Sequence, residues 1–206
     1  MEKSYQRMPL SRLDDIFTTE QERQEKDLER IKDINIDDID SFPNHPFNVV
    51  ENEDLYNLRD SIVEKGVISP ILVRPKNNGR YEVISGHRRM YASKLADKYT
   101  IPCIVRNLSN DEAIIAMVDS NLQREHILPS EKAFAYQMKL EAEKHQGKKT
   151  YLSSCQVGTK YRTDSKIANQ VGDSARQIQR YIRLTKLIKP LLDMVDEEKI
   201  AFSPAV

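Results

Sequence analysis

The stretch Ser165–Leu187 reads SKIANQVGDSARQIQRYIRLTKL, and its pattern predicts two short helices joined by a tight turn. Apolar residues recur at helical spacing on both sides of Gly172. Gly172 lies where the end of the first helix needs a positive φ, and Ser174 can cap the second helix. The stretch therefore predicts a helix-turn-helix, the motif whose second helix enters the major groove of DNA.

The second predicted helix carries a polar face suited to reading DNA. Guanidinium groups pair with guanine edges and phosphates, and carboxamides pair with adenine edges. A loop rich in Gly and Lys, near Gly147–Lys149, is expected to add phosphate contacts. An ordinary helical hairpin with a solvated basic face is the alternative that the motif alone leaves open. The candidate DNA-binding residues are Lys148, Lys149, Lys166, Ser174, Arg176, Gln177, Gln179 and Arg180.

Charge is unevenly distributed along the chain, although its 32 basic residues balance its 32 acidic ones. Lys144–Lys189 carries eleven Lys or Arg against two Asp, whereas Met1–Asp60 carries eight basic residues against sixteen acidic ones. A basic segment that coincides with a predicted helix-turn-helix indicates phosphate binding with release of counterions. Because the acidic segment would repel DNA, we expect it to face elsewhere or to contact a protein.

Composition limits the class of protein. With 206 residues and 39% hydrophobic residues, the chain can bury two modest cores. No apolar run reaches the length of a membrane span, and the N-terminus lacks the apolar region of a signal peptide. Cys103 and Cys155 form no zinc pattern with the four histidines, and Cys103 is expected in a core. We therefore expect a cytoplasmic protein without a membrane partner.

Three regions follow one another along the chain. Residues 1–33 predict a mobile charged tail, residues 34–125 alternate between strand and helix patterns, and residues 126–206 read as helical. The fold class is therefore predicted as α+β, with a small mixed α/β N-terminal domain followed by an all-α helix-turn-helix domain. The predicted N-terminal elements include a helix over Asp54–Gly66, strands over Pro70–Pro75, Arg80–Ser85 and Pro102–Val105, and helices over His87–Asp97 and Asn110–Leu122.

The run ISGHRRMYASKLA at Ile84–Ala96 predicts an anion site. Gly86 permits a sharp turn after a strand, and Arg88 and Arg89 fall in the first turn of the next helix. Free backbone N–H groups and two guanidinium groups together suit a phosphate. Two cations there oppose the helix dipole, which favours a bound anion. The alternative is that both arginines pair with acidic residues such as Asp111 or Glu112.

A second candidate site lies in DSNLQREHILPSEKAFAYQMKLEA at Asp119–Ala142. Asn121 and Arg124 are three residues apart on a predicted helix, so they share one face. The Asn121 carboxamide oxygen could ligate a metal ion. The alternative is that the two residues only end one helix and fix the start of the next.

Three ordered blocks resemble the ParB family of plasmid and chromosome partition proteins. They are GVISPILVRP at Gly66–Pro75, GHRRMYASKLA after Ser85, and SNLQREHILPSEKAFAY leading into the predicted helix-turn-helix. The resemblance spans about residues 34–187. It implies an N-terminal domain that binds cytidine triphosphate, a helix-turn-helix that binds a palindromic centromere-like site on double-stranded DNA, and a C-terminal dimerisation domain.

The resemblance also implies ligands, partners and residue roles. CTP would be held with Mg²⁺ on Asn121, and the nucleotide would favour closure into a sliding clamp on DNA. A basic N-terminal peptide, residues 1–17, would contact a ParA-type ATPase, and the full-length protein would be a homodimer. The chain ends at Val206 without a segment like the family's dimerisation domain. The implied nucleotide-binding residues are Gly66, Ser69, Gly86, His87, Arg88, Arg89, Asn121 and Arg124.

Three departures from the family pattern bear on the chemistry. His87 and Ser120 occupy positions where members that hydrolyse CTP have Glu, and Ser69 replaces a Gln that precedes the Pro of the first block. Losing two carboxylates removes groups that would order a metal ion and a water molecule. We therefore expect nucleotide binding with slow or absent hydrolysis, and less sharply defined base selectivity.

Three alternatives are weighed against partition. A ParB-like transcription regulator or nucleoid-occlusion factor shares the whole architecture and differs only in where it binds DNA. A sulfiredoxin-like enzyme needs a Cys directly before its His-Arg pair, and Gly86 stands there instead. A nuclease would need an acidic cluster for two metal ions, which the sequence does not suggest.

Overall fold

In the computed structural model, a mixed sheet with helices is followed by helices alone, and the structure describes residues 31–47, 49–124, 126–150 and 163–206. The described side chains exclude those of residues 147–150 and 163–166. Among the described residues, no helix is both long and apolar enough to cross a membrane. The five strands are β1 (Ile31–Asn35), β2 (Ile39–Asp40), β3 (Ile71–Pro75), β4 (Tyr81–Ser85) and β5 (Thr100–Val105).

The strands form one mixed sheet in the spatial order β1-β5-β3-β4-β2. The β3–β4 pair is the antiparallel hairpin that the sequence predicts, whereas β5 joins β3 in parallel. β1 pairs with β5 from Ile31 onward, so it begins three residues before the predicted domain start at Ile34. The central strand β3 therefore lies between β5 and β4. The strand that follows it in the sequence, β4, leads directly into the candidate anion site.

Local sequence signals account for the helix boundaries. The Asn52 side chain caps α1, Ser109 and Glu112 form a capping box at α3, and Ser174 caps α6. The positive φ of Gly66 ends α1. The seven described helices are α1 (Glu53–Lys65), α2 (His87–Leu95), α3 (Asn110–Leu122), α4 (Pro129–Thr150), α5 (Thr163–Val171), α6 (Ala175–Leu184) and α7 (Lys189–Asp196).

The prediction of a loop at Gly147–Lys149 is wrong, because α4 continues through these residues to Thr150. A single glycine costs a helix only about 1 kcal/mol relative to alanine. The flanking run LEAEKHQ is made mostly of good helix formers, which outweigh that cost. Lys148 and Lys149 therefore lie on the last turn of a helix rather than in a loop.

Hydrophobic clusters lie on both faces of the sheet. One joins Ile71, Val73 and Ile101 with Cys103, which is fully buried as predicted. On the other face, Ile84 packs against α3, α4 and the segment that contains Phe42 and Phe47. A separate cluster forms the centre of the helical part, where α4 packs against α5 and α6 through buried Tyr136, Leu140, Ile167 and Ile178.

The long helix α4 ties the two parts together. It packs along α3 on one side and along α6 on the other. The Nζ atom of Lys139, which is fully buried, lies 2.5 Å from a carboxylate oxygen of Asp119 on α3. A buried ammonium is stable only with such a partner, so this ion pair fixes α4 against the α/β part.

Candidate nucleotide and DNA sites

Gly86 forms the junction between β4 and α2. Its φ of 101° and ψ of 25° belong to the left-handed region that favours glycine. A Cβ atom at this position would lie 2.6 Å from Cγ2 of Ile71, a fully buried core residue. Glycine is therefore required both for the turn and for the close approach to β3. It brings the first turn of α2 against the end of the sheet.

The first turn of α2 presents an uncompensated positive end. It contains no acidic residue, and no side chain caps it. The backbone N–H groups there and the helix dipole favour an anion. Arg88 lies in this turn, and it makes no hydrogen bond or ion pair to another described residue. Its suggested partners are engaged elsewhere, since Asp111 contacts His145 and Glu112 caps α3.

A second guanidinium approaches from the end of α3. Burial lowers the pKa of Arg124, and the charge of Arg88 lowers it further. The charge of Glu131 on α4 acts in the opposite direction. Arg124 also lies over the ring of Phe47, with its Cζ atom 5.7 Å from the ring centroid. The positive charges of Arg88 and Arg124 therefore face the same region from different elements. A bound polyanion would relieve the repulsion between them.

Arg89 holds a loop in place. Its Nη1 atom donates to the backbone carbonyls of Ser69 and Pro70, at 2.6 and 2.7 Å. These bonds join α2 to the segment between Gly66 and β3, which carries two of the implied nucleotide-binding residues. Because its guanidinium is committed to carbonyls, Arg89 positions that segment beside the anion site.

Asn121 is buried at the end of α3. Its side-chain nitrogen donates to the carbonyl of Met117 at 2.8 Å, and Ser120 donates to the same carbonyl at 2.9 Å. The described residues contain no group of three or more His, Cys, Asp or Glu side chains able to hold a metal ion. A hard cation such as Mg²⁺ prefers several oxygen ligands. The donor set therefore does not fit a magnesium ion held by the protein, although the Asn121 oxygen could add one ligand.

His87, an implied nucleotide-binding residue, packs against His45, which sequence reasoning missed. The two ring centroids are 3.9 Å apart, and His87 is 7% exposed. Burial lowers the pKa of His87 to about 3, and the charges of His45 and Arg124 act in the same direction. The pKa of His45 is lowered too, chiefly by burial. Both rings are therefore neutral at pH 7, and we call them the histidine pair.

The histidine pair makes stability depend on pH. Because the pKa of His87 falls from 6.5 to about 3 on folding, only the unfolded chain binds a proton there between these values. Stability is therefore complete above pH 6.5 and is lost as the pH falls, by about 2 kcal/mol at pH 5 from His87 alone. Urea unfolding at pH 7 and pH 5 measures this loss.

The matched variants are His87→Gln and His145→Gln. The loss between pH 7 and pH 5 should shrink in His87→Gln, which cannot take up the proton. It should persist in His145→Gln, since His145 is exposed. An unchanged pH dependence in His87→Gln would contradict the assignment.

Helix α6 buries one face and exposes another. Ile178 is fully buried, and Tyr181 and Ile182 pack around the same cluster. The Ser174 hydroxyl accepts from the backbone N–H of Gln177 at 3.1 Å, so it serves as the predicted cap. Arg176 and Gln179 are exposed, and Gln177 is partly exposed. These side chains therefore lie on the predicted polar face, after a turn at Gly172–Ser174.

The remaining candidate DNA-binding residues have different surroundings. The Arg180 guanidinium donates to the hydroxyl of Ser203 at 3.1 Å and lies 5.0 Å from the ring centroid of Phe202. Lys148 and Lys149 belong to α4 and Lys166 to α5, but their side chains lie outside the described part of the structure. Arg176, Gln177 and Gln179 therefore remain the described candidates for base contacts.

The family model of the ParB N-terminal domain matches residues 20–122, which is half of the chain. The matched range contains the Gly86 turn, Arg88 and the buried Asn121. The chain belongs to the ParB family.

Relatives named for chromosome partition and for nucleoid occlusion are both similar to this chain. The "Probable chromosome 1-partitioning protein ParB" of Deinococcus radiodurans is 33% identical over 176 residues, covering 85% of this chain and 54% of that protein. A nucleoid occlusion protein of Listeria monocytogenes serotype 4b is 32% identical over 202 residues, covering 94% of this chain and 63% of that protein. The chain spans about half the length of the curated relatives it matches.

A solved ParB structure confirms the fold class. The C-terminally truncated chromosome-partitioning protein ParB from Caulobacter crescentus, complexed to the centromeric parS site, gives a TM-score of 0.55 at 26% identity. The match covers 84% of this chain and 82% of that one. A structure of the same Caulobacter protein complexed with CTP-γ-S gives a TM-score of 0.44 at 28% identity. The match covers 85% of this chain and 89% of that one.

Proposed function

We propose that this chain is a DNA-binding partition protein that binds CTP in its N-terminal domain and a centromere-like site through α5 and α6. The observation that carries the nucleotide part is the free, cationic first turn of α2. Arg88 has no partner among the described residues, and Arg124 faces it from α3. Two permanent charges beside a helix N-terminus can hold a triphosphate.

Family membership supports CTP as the nucleotide. The Caulobacter protein, which resembles this chain in its complex with parS, has also been solved with CTP-γ-S. The segment between Gly66 and Pro70 would receive the base, since Arg89 fixes its carbonyls. Backbone groups held in this way can select a base by hydrogen bonding, whereas the short Ser69 side chain adds less than a Gln would.

We expect the bound nucleotide to be hydrolysed slowly or not at all. Hydrolysis needs a base to position water and ligands to order the metal ion. His87 and Ser120 supply neither carboxylate, and His87 is buried against His45. A magnesium ion that accompanies the triphosphate would be held by the phosphate oxygens, with Asn121 as the single oxygen from the protein.

The DNA part of the proposal rests on α6. Arg176 and Gln177 would contact base edges, with Gln179 and Arg180 beside them. Lys148, Lys149 and Lys166 would contact phosphates and so contribute to affinity without selecting sequence. Because α4 packs against both the α/β part and α6, nucleotide binding could be communicated to the DNA-binding helices through it. In a homodimer of the full-length protein, closure on DNA would produce a sliding clamp.

Calorimetric titration with CTP, ATP, GTP and UTP tests the nucleotide proposal. We expect CTP to bind at least about tenfold more tightly than the others, a difference of about 1.4 kcal/mol. A duplex obtained by selection from random sequences should be present in one series and absent from another. Equal binding of all four nucleotides would contradict CTP as the specific ligand.

Nucleoid occlusion is the second candidate function, because the Listeria nucleoid occlusion protein is similar over 94% of this chain. The two functions differ in where the protein binds the genome. Mapping the bound sites in cells separates them, since partition predicts one cluster of sites and nucleoid occlusion predicts dispersed sites. In either case the protein would be located in the bacterial cytoplasm, on DNA.

The N-terminal tail supplies a prediction about a protein partner. Residues 1–17, which lie outside the described residues, carry Arg7 and Arg12 among apolar residues. We propose that this peptide stimulates a ParA-type ATPase. Deleting residues 1–17 should abolish that stimulation and leave DNA binding unchanged, as measured by ATPase assay and fluorescence anisotropy. Loss of DNA binding would refute this division of roles.

A further inference from the structure

The histidine pair has two buried nitrogens with no partner. The Nε2 atoms of His45 and His87 are shielded from solvent and make no hydrogen bond within the described part of the chain. Leaving a buried polar atom unpaired is unfavourable, so such atoms are uncommon in native proteins. Two of them in contacting rings, beside the cationic first turn of α2, call for a functional explanation.

The tautomer of His45 is fixed by the backbone. Its Nδ1 atom lies 2.6 Å from the carbonyl oxygen of Phe47. A carbonyl can only accept, so Nδ1 carries the hydrogen and Nε2 of the neutral ring is a bare acceptor. A triphosphate at neutral pH offers acceptors only. Nε2 of His45 can therefore interact favourably with it only after taking up a proton.

Without a ligand, burial is the main factor that holds the histidine pair neutral, and neighbouring charges add to it. Arg124, at the end of α3, opposes a positive charge on either ring, and Arg88 of α2 adds to the cationic field around Arg124. The segment that carries His45 contributes no carboxylate to the pair, and Glu131 of α4 acts on Arg124. Asp111 of α3 and Glu141 of α4 line a cavity with His45, but neither is among the causes that shift the pKa of the two rings. Each ring also opposes protonation of the other, since the centroids are 3.9 Å apart.

A bound triphosphate would reverse this field. One negative charge about 5 Å from a ring, at an effective dielectric constant of about 20, raises its pKa by roughly two. A triphosphate carries several such charges, which also neutralise Arg88 and Arg124. We propose that nucleotide binding is coupled to uptake of a proton by the histidine pair, so that the proton supplies positive charge that a magnesium ion held by carboxylates would otherwise supply. This inference rests on the proposed triphosphate binding.

A metal ion on the two Nε2 atoms is the competing explanation. A ligating histidine often donates its other N–H to a backbone carbonyl, as His45 does. The cations around the pair would repel a dication, however, and the described residues offer no third His, Cys, Asp or Glu ligand. The rings also pack at a tilt of 47° in direct contact, which favours a stacked pair over a chelating one.

Calorimetry in two buffers tests the proposal on the whole chain. CTP is titrated at pH 7.5 in Pipes and in Tris, because a buffer of high ionisation enthalpy reveals proton transfer. We expect uptake of about half to one proton per CTP relative to the His45→Gln/His87→Gln double variant. Protons of the nucleotide itself cancel in that comparison. The affinity of the wild-type chain should rise by up to about tenfold per unit fall in pH between 8 and 6.5.

Single variants make the test sharper. His87→Glu should lose the proton uptake and become dependent on Mg²⁺, with affinity in EDTA lower by about tenfold, whereas the wild-type affinity in EDTA should change little. His145→Gln should retain the uptake, because His145 is exposed and its ring contacts Asp111, although it lines a cavity together with His45. Loss of uptake in His145→Gln would contradict the assignment.

The outcomes separate this inference from the function on which it rests. CTP binding with the same enthalpy in both buffers would overturn the proton coupling and leave nucleotide binding intact. Binding of Zn²⁺ alone that disappears in His45→Gln would also overturn it, in favour of a metal site. Absence of CTP binding in either buffer, from pH 6.5 to pH 8, would overturn both proposals.

Discussion

Replacing Gly86 with alanine is expected to destabilise the protein by about 3 to 5 kcal/mol, the largest effect on stability that we predict. Two penalties add at this position. A residue with a side chain is strained at a φ of 101°, and its Cβ would lie 2.6 Å from Cγ2 of Ile71. Ile71 is fully buried in β3, so it cannot move aside without disturbing the core. Urea unfolding measures the loss.

Gly79→Ala is the matched control. Gly79 also has a positive φ, of 79°, but a Cβ there would meet nothing within 4 Å. This variant should therefore lose only about 1 to 2 kcal/mol, from backbone strain alone. The difference between the two variants isolates the close contact with Ile71. Equal destabilisation by both would contradict the packing described at the β4–α2 junction.

Alanine at Arg176 or Gln177 is expected to weaken binding to the selected DNA site by about 1 to 3 kcal/mol and to relax base preference. The reason is that α6 exposes Arg176 and partly exposes Gln177, while its opposite face is buried around Ile178. Arg180→Ala should have a smaller effect on sequence preference, because Ser203 and Phe202 already engage that guanidinium.

Fluorescence anisotropy with the selected duplex and with variants of single base pairs measures both affinity and preference. Lys186→Ala is the control, since Lys186 is exposed two residues beyond α6. It should change affinity little and equally for all duplexes. Unchanged binding by Arg176→Ala would show that α6 is not the recognition helix.

Local chemistry made much of the fold predictable. The apolar runs of β3 and β4, the turn between them and the cap at Ser174 each depend on neighbouring residues, so the sequence alone indicates them. The helix predicted over Asp54–Gly66 is found at Glu53–Lys65, with Gly66 at its end. The fully buried Cys103 was likewise indicated by its apolar neighbours.

Contacts between distant residues could not be predicted in the same way. Nothing in the sequence around His45 indicates that it packs on His87, 42 residues further along the chain. The two bonds from Arg89 to the carbonyls of Ser69 and Pro70 depend on how α2 packs beside β3. Arg88 and Arg89 look alike in the sequence. Arg88 nevertheless has no partner among the described residues, whereas Arg89 holds the loop at Ser69 and Pro70.

That difference between adjacent arginines offers a direct experiment on the proposed nucleotide site. Arg88 has no protein partner within the described chain, so Arg88→Ala would remove the proposed phosphate contact without disturbing a described bond in the fold. Lys94→Ala is a suitable control, because Lys94 is an exposed cation in the last turn of the same helix.

The central claim is that the first turn of α2 binds the triphosphate, and calorimetric titration of CTP into these two variants tests it most directly. We predict that Arg88→Ala weakens CTP binding by at least about tenfold, corresponding to about 1.4 kcal/mol or more, with the unfolding free energy unchanged. Lys94→Ala should bind CTP as the wild-type chain does. Equal affinity of Arg88→Ala and the wild-type chain for CTP would contradict the account.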